Sequence, residues 1–165
     1  MKILGIDPGF ALVGFGIVEV QPKGALVAGQ YGHISTESGV PVPDRLKILY
    51  DDTCIIIGKY RPDVVVYEEL FFNKNAKTAI TAAQARGVLI LAAVNSGLPV
   101  AEYTPLQVKQ AVVGYGRADK KQVQAMVTRL LRLKEVPKPD DTADALAVAI
   151  CHANSMRMES LKQTP

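Results

Sequence analysis

Two short segments of this sequence are almost entirely apolar, and each is followed by an acid. The first is Ile3–Ile6, followed by Asp7, and the second is Val64–Tyr67, followed by Glu68 and Glu69. Such runs are typical of strands buried on both faces of a sheet. An acid directly after a buried strand lies at the rim of the sheet, where side chains from neighbouring strands can converge. Either acid alone can be explained as a residue that ends a strand and faces water, whereas the two acids together favour a functional site.

The order of the other predicted elements indicates a mixed sheet. Two strands, over 15–20 and 25–31, follow the first strand without an intervening helix, which suits an antiparallel meander. Helices and strands alternate afterwards, and no Gly-x-Gly-x-x-Gly follows the first strand, which disfavours a fully parallel dinucleotide-binding fold. The predicted fold class is therefore α/β, a mixed five-stranded sheet with helices on both faces. The later elements are predicted at 43–60, 64–67, 75–95, 99–103, 105–113, 119–134 and 140–156.

Length and composition predict one globular domain. The chain has 165 residues, 48% of them hydrophobic and 21% charged, which is enough to bury a core without disulfides or a structural metal. We expect a single domain over residues 1–157 and a mobile polar tail over 158–165. Neither of the two cysteines lies in a metal-binding motif, and no apolar run reaches the roughly 18 residues of a membrane span. These features predict a reduced, cytoplasmic protein with no membrane segment and no zinc.

The charge is distributed unevenly along the chain. The net charge is +3, but residues 1–70 carry 6 basic and 9 acidic side chains, residues 71–138 carry 11 and 3, and residues 139–165 carry 2 and 4. A basic middle between acidic ends favours a surface that binds a polyanion beside a carboxylate site that holds cations. Charges scattered evenly over the folded surface are the alternative.

The last predicted helix adds further acids. Asp141 and Asp144 are three residues apart and therefore share one helix face. Asp140 is explained as the residue that caps the helix, because acids at a helix N-terminus interact well with its dipole. Asp144 lies further along, among alanine and leucine, and this explanation serves it less well.

Carboxylates without neighbouring histidine or cysteine are hard oxygen ligands. They select Mg²⁺ or Mn²⁺ over zinc or copper, and two such ions can serve the hydrolysis of a phosphodiester. The basic middle segment would then hold the phosphate backbone of a nucleic acid. Strand alternation lets only one of Glu68 and Glu69 face this site, and the pattern alone does not choose between them.

These residues resemble the RuvC family of bacterial Holliday junction resolvases, nucleases of the ribonuclease H-like (retroviral integrase) superfamily. The matching stretches occur in the same order over about residues 3–155, nearly the whole chain. The resemblance implies a ribonuclease H-like fold for the domain over 1–157. The matching stretches are Ile3–Gly9, Pro62–Glu68 with Phe71, Lys74 and Asn75, Gln84–Val88, Gln107–Gln110 and Asp141–Ala147.

The resemblance implies that Asp7, Glu68, Asp141 and Asp144 are the catalytic carboxylates and the metal ligands, and it selects Glu68 over its neighbour. It further implies an endonuclease that nicks two opposing strands of a four-way DNA junction during recombination and repair. The cofactor is expected to be Mg²⁺, two ions per site, with Mn²⁺ able to substitute. The expected partners are a second copy of the chain and the RuvA and RuvB branch-migration proteins. The second apolar face of the alanine-rich helix over 75–95 suits such a subunit interface.

A second group of residues is expected to contact DNA. The resemblance implies that the ring of Phe71 contacts bases and that Lys109 and Lys120 contact phosphates. Because Phe72 is adjacent to Phe71, the ring that stacks on a base is left open, and because Lys121 is adjacent to Lys120, the amine that reaches the DNA backbone is left open. An exposed ring can stack on an unpaired base for roughly 1–3 kcal/mol. The candidate DNA-binding residues are Phe71, Phe72, Lys74, Lys109, Arg117, Lys120 and Lys121.

Two other classes of protein are alternatives to the nuclease. Gly5–Gly9 also resembles the first phosphate loop of actin-like and sugar-kinase-like ATPases, but those proteins repeat the unit in a second domain, for which 165 residues leave no room. A non-catalytic nucleic-acid-binding module would not need four acids among its lysines, because uncompensated carboxylates repel DNA.

Overall fold

The central strand of the sheet is the first one in the chain. The computed structural model describes residues 1–69 and 76–162, and within them five strands form one sheet in the order β3-β2-β1-β4-β5. The pairs β1–β2 and β2–β3 are antiparallel, and the pairs β1–β4 and β4–β5 are parallel. The predicted mixed sheet is confirmed. The strands are β1 Lys2–Asp7, β2 Leu12–Val20, β3 Leu26–Ser35, β4 Val64–Glu68 and β5 Val100–Tyr103.

Helices cover both faces of this sheet, as predicted. The first two helices share one hydrophobic core with the sheet, and the last three share the other. The third helix begins as the sequence indicates, with a capping box in which the Thr104 side chain accepts from the backbone N–H of Gln107, and with Pro105 in the first turn. The helices are α1 Val42–Tyr60, α2 Ala76–Asn95, α3 Pro105–Val113, α4 Lys120–Leu130 and α5 Asp140–Lys162.

The alternation of side chains along β1 separates the two cores. Leu4 and Ile6 are buried against α1 and α2, whereas Ile3 is buried in the core that contains α3, α4 and α5. Because strand side chains alternate, Gly5 and Asp7 share the face of Ile3. The acid at the end of β1 therefore lies on the same side of the sheet as α5.

Two glycines allow α5 to lie very close to the sheet. A Cβ atom on Gly5 would be 2.0 Å from the backbone oxygen of Ala145, and a Cβ on Gly14 would be 1.9 Å from that of Asp141. No side chain is compatible with such distances, so the backbone of α5 rests directly on β1 and β2. This contact fixes the height of the first turns of α5 above the end of β1.

The main differences from the predicted elements lie at helix ends. The helix expected over 119–134 ends at Leu130, because Arg132 adopts a left-handed conformation with φ of 52°. The helix expected over 140–156 continues through the start of the expected tail to Lys162. The division into a domain over 1–157 and a mobile tail over 158–165 stays a prediction.

Among the described residues, no helix combines the length and the hydrophobicity that a membrane crossing requires. Cys54 and Cys151 are both free thiols.

The close contact of α5 predicts a strong effect of one added methyl group. We expect Gly14→Ala to lower the free energy of unfolding by about 3 kcal/mol, because the new Cβ displaces α5 backbone that cannot move independently. The matched control is Gly58→Ala in α1, where the added Cβ meets nothing within 4 Å and stability should rise by about 0.5–1 kcal/mol. Urea unfolding measures both, and equal stability of Gly14→Ala and the native protein would contradict the close packing of α5.

Candidate functional site

Two of the predicted acids end neighbouring parallel strands. In the register of β1 with β4, Ile6 pairs with Tyr67, and Asp7 and Glu68 are the residues that follow on each strand. Both side chains are partly buried. The carboxyl ends of these two strands therefore bring one acid from each to the same edge of the sheet.

The structure distinguishes the two glutamates at the end of β4. The Tyr67 side chain is fully buried and its hydroxyl donates a 2.7 Å hydrogen bond to the carbonyl oxygen of Leu89 in α2. Because side chains alternate, Glu68 lies on the opposite face, towards α5, and Glu69 on the same face as Tyr67. Of the two glutamates, only Glu68, the one that the resemblance implies, lies on the same side of the sheet as α5, and its role as a ligand stays a prediction.

The helix α5 supplies the other two acids. Its first turns carry Asp141 and Asp144, and the backbone oxygen of Asp141 lies over Gly14, the residue that pairs with Asp7 in the sheet. The hydroxyl of Thr142, which is fully buried, donates a 3.1 Å hydrogen bond to the carbonyl oxygen of Gly32 and anchors this turn. All four predicted carboxylates thus gather above the carboxyl ends of β1 and β4.

The electrostatics of the cluster show how closely the acids interact. Burial raises the pKa of Asp7 to about 8, and the negative charges of Asp144, Glu68 and Asp141 add to the rise. Burial also raises the pKa of Glu68 to about 7, with Asp144 as the second cause. The cluster therefore holds more negative charge than its own surroundings stabilise.

Lysines partly offset this charge. The Lys120 ammonium lies 3.0 Å from the Asp144 carboxylate and 3.5 Å from that of Asp140. Lys109 on α3 lowers the pKa of Glu68, against the effect of burial. A pocket of about 210 Å³ opens between these groups, and its lining residues are Glu68, Val108, Lys109, Lys120, Val123, Asp144 and Ala147.

The cluster has the chemistry of a site for a hard cation. Carboxylate oxygens are the ligands that Mg²⁺ and similar cations prefer, and a divalent cation would stabilise acids that otherwise repel one another. Within the described part of the chain, no group of three or more His, Cys, Asp or Glu side chains is already arranged to hold a metal ion. The donor set therefore fits a divalent cation, but in this arrangement a lysine contacts one of the proposed ligands.

The other predicted DNA contacts lie outside this pocket. Arg117, in the loop between α3 and α4, and Lys121, at the start of α4, are exposed and do not line it. The candidates Phe71, Phe72 and Lys74 lie outside the described residues. Between Lys120 and Lys121, the structure brings Lys120 to the acids.

Sequence reasoning missed one participant in this site. The sequence predicts Asp140 as the cap of the last helix, whereas it belongs to the first turn of α5 and its carboxylate pairs with Lys120. Nothing in the pattern connects Asp140 with Lys120, because the pairing depends on how α4 packs against α5. The sequence does contain a signal for the position of α5 itself. Gly5 and Gly14 lack a side chain, which marks the place where another backbone approaches the sheet.

Known proteins resemble this chain over nearly its full length. A family model described as crossover junction endodeoxyribonuclease RuvC matches residues 3–152. A protein of that name from Brevibacillus brevis is 58% identical over 163 residues, which are 99% of this chain and 98% of the relative. A structure of Thermus thermophilus RuvC matches at 37% identity with a TM-score of 0.89, covering 96% of this chain and 97% of that one. The same protein in complex with Holliday junction substrate matches at 34% identity with a TM-score of 0.87, covering 96% of each chain.

The raised pKa of Asp7 predicts a pH dependence of stability. The folded protein holds this proton up to about pH 8, whereas an unfolded aspartate releases it near pH 4. The contribution of this Asp7 proton to the free energy of unfolding is therefore complete below about pH 4 and is lost as the pH rises to about 8. We expect Asp7→Asn, which stays neutral, to be more stable than the native protein at pH 8, with an advantage that shrinks towards pH 5.

Thermal unfolding in EDTA between pH 5 and 8 measures this difference. Asp52→Asn, which removes an acid of α1 outside the cluster, is the matched control and should follow the native profile. Parallel profiles for Asp7→Asn and the native protein would contradict the raised pKa of the buried Asp7 carboxyl.

Proposed function

This chain belongs to the crossover junction endodeoxyribonuclease RuvC family, and from that membership we propose that it resolves four-way DNA junctions by nicking two opposing strands symmetrically. Its activity is that of an endodeoxyribonuclease, a hydrolase of phosphodiester bonds. The process it serves is recombination and DNA repair. We also propose that the protein acts in the cytoplasm.

One observation supports placing this activity at the carboxyl ends of β1 and β4. Four acids gather at the carboxyl ends of β1 and β4, and the pocket beside them is lined by Lys109 and Lys120. Acids alone repel DNA, and lysines alone only bind it. Together they supply ligands for cations and positive charge for a phosphate in a single site.

The proposed roles follow from the chemistry of each group. Asp7, Glu68, Asp141 and Asp144 would hold divalent cations, and we propose two Mg²⁺ ions per site, with Mn²⁺ able to substitute. When bound to these residues, such cations would supply Lewis acidity for the phosphodiester and the attacking water. Lys109, a point charge on the pocket wall, offsets the negative charge of the phosphate.

The contacts with DNA outside the pocket are also proposals. Arg117, in the loop between α3 and α4, and Lys121, at the start of α4, are exposed and would contact the DNA backbone. The assignment of Phe71 or Phe72 to base stacking, with Lys74 beside them, rests on the resemblance. The same resemblance supports cooperation with the RuvA and RuvB branch-migration proteins.

We also propose that the protein acts as a homodimer through α2. Ile80, Leu91 and Val94 are 61%, 49% and 55% exposed, and at this spacing they share one face of the helix. Gly87 lies on the same face, and a Cβ there would meet nothing within 4 Å. An exposed apolar face of this kind is typical of a subunit interface, and symmetric nicking of two strands requires two sites.

The proposed metal site predicts that neutral substitutes abolish cleavage without abolishing binding. We expect Asp7→Asn and Glu68→Gln each to slow single-turnover cleavage of a mobile four-way junction in Mg²⁺ by about three orders of magnitude or more, because each removes a cation ligand. Junction affinity in a gel-shift assay should be retained. Glu69→Gln, the adjacent acid on the other face of β4, is the matched control and should cleave normally. Native rates for Asp7→Asn would exclude the proposed site.

The proposed interface predicts a change in mass in solution. We expect Leu91→Glu to convert a dimer to a monomer, because a charge on this apolar face must lose its hydration when two copies meet. Light scattering after gel filtration measures the mass. Ile55→Glu, at an apolar position of α1 that is 63% exposed, controls for the added charge and should remain dimeric. A dimeric Leu91→Glu would place the interface elsewhere.

A further inference from the structure

The Lys120 side chain makes contacts that do not match a purely DNA-binding role. Its ammonium lies 3.0 Å from the carboxylate of Asp144 and 3.5 Å from that of Asp140. The Asp144 side chain is 23% exposed and the Lys120 side chain 52% exposed. Lys120 therefore extends from solvent into the pocket and ends on an acid that belongs to the proposed cation site.

An ammonium and a divalent cation cannot share this carboxylate without cost. At close range two positive charges repel each other, and at the edge of a protein pocket the repulsion is stronger than in bulk water. The described surroundings of Asp144 contain no other ion pair, whereas Lys120 has a second acid in Asp140. The lysine can therefore leave Asp144 and still remain beside the site.

We propose that Lys120 is an internal counterion of the carboxylate cluster, which a divalent cation must displace from Asp144 when it binds. The proposal rests on the proposed function, since it assumes that Asp144 is a cation ligand. Cation binding then frees a positive charge next to the place where a phosphate would lie. One lysine thus stabilises the acids before the cation binds and becomes available to DNA after it has bound.

The neighbouring residue provides a matched comparison. Lys121 carries the same charge one residue further along α4, but it is exposed, does not line the pocket and is not in ion-pair contact with an acid among the described residues. A general effect of net charge on cation affinity would be similar for both lysines. A direct competition would be confined to Lys120.

The experiment measures the binding of Mn²⁺ alone, without DNA, by titration followed by electron paramagnetic resonance. We expect Lys120→Ala to lower the Mn²⁺ dissociation constant roughly fivefold, as expected for the loss of a partly exposed ion pair that competes with the ion. Lys120→Arg, which keeps the charge, should restore an affinity close to the native one. Lys121→Ala should stay within about twofold of the native value, and Asp7→Asn should bind Mn²⁺ much more weakly.

A second measurement does not depend on the affinity itself. In EDTA, Lys120→Ala should have a lower Tm than the native protein, because the acids lose their counterion, and Mn²⁺ should raise its Tm by more than it raises the native Tm. If the native protein binds Mn²⁺ and Lys120→Ala binds it equally or more weakly, the displacement is wrong while the metal site stands. If neither protein binds Mn²⁺, the proposed metal site itself is wrong.

Discussion

The distance between α5 and the sheet is the constraint on which the rest of the structure depends. The helix backbone rests on Gly5 and Gly14, where even a methyl group would come within 2.0 Å and 1.9 Å of backbone oxygens. This contact places Asp141 and Asp144 over the end of β1. A side chain at either glycine would lift the helix and separate its acids from those of the strands.

Close packing of α5 on the sheet brings the negative charges of the four acids together, and this lowers the stability of the fold. Partly buried acids that repel one another destabilise the fold unless a positive charge offsets them. The pKa values of Asp7 and Glu68 are raised first by burial and then by the neighbouring negative charges. Lys120 supplies part of the compensation through its ion pair with Asp144. In the proposed function the site would bind cations and then a polyanion, and a lysine that leaves Asp144 would let the charge of the site change in stages.

The sequence was informative where a feature depends on local pattern. Apolar runs and alternation predicted the central strands and the helices on both faces, and Thr104 with Pro105 marked the start of α3. The choice of Glu68 needed the family resemblance, because alternation shows only that one of two adjacent acids faces the site. The assignment of the four carboxylates as catalytic residues stays a prediction.

Features that depend on packing between distant elements were not predictable in this way. The pairing of Lys120 with Asp140 depends on the relative position of two helices, and the early end of α4 depends on the left-handed backbone of Arg132. The polar lining of the pocket consists of acids and lysines. In the proposed function these groups would hold cations and contact phosphates, and such contacts carry no sequence information directly. Selectivity for a junction, and for a sequence within it, would then come from groups outside the pocket and from the spacing of the two sites in the proposed dimer.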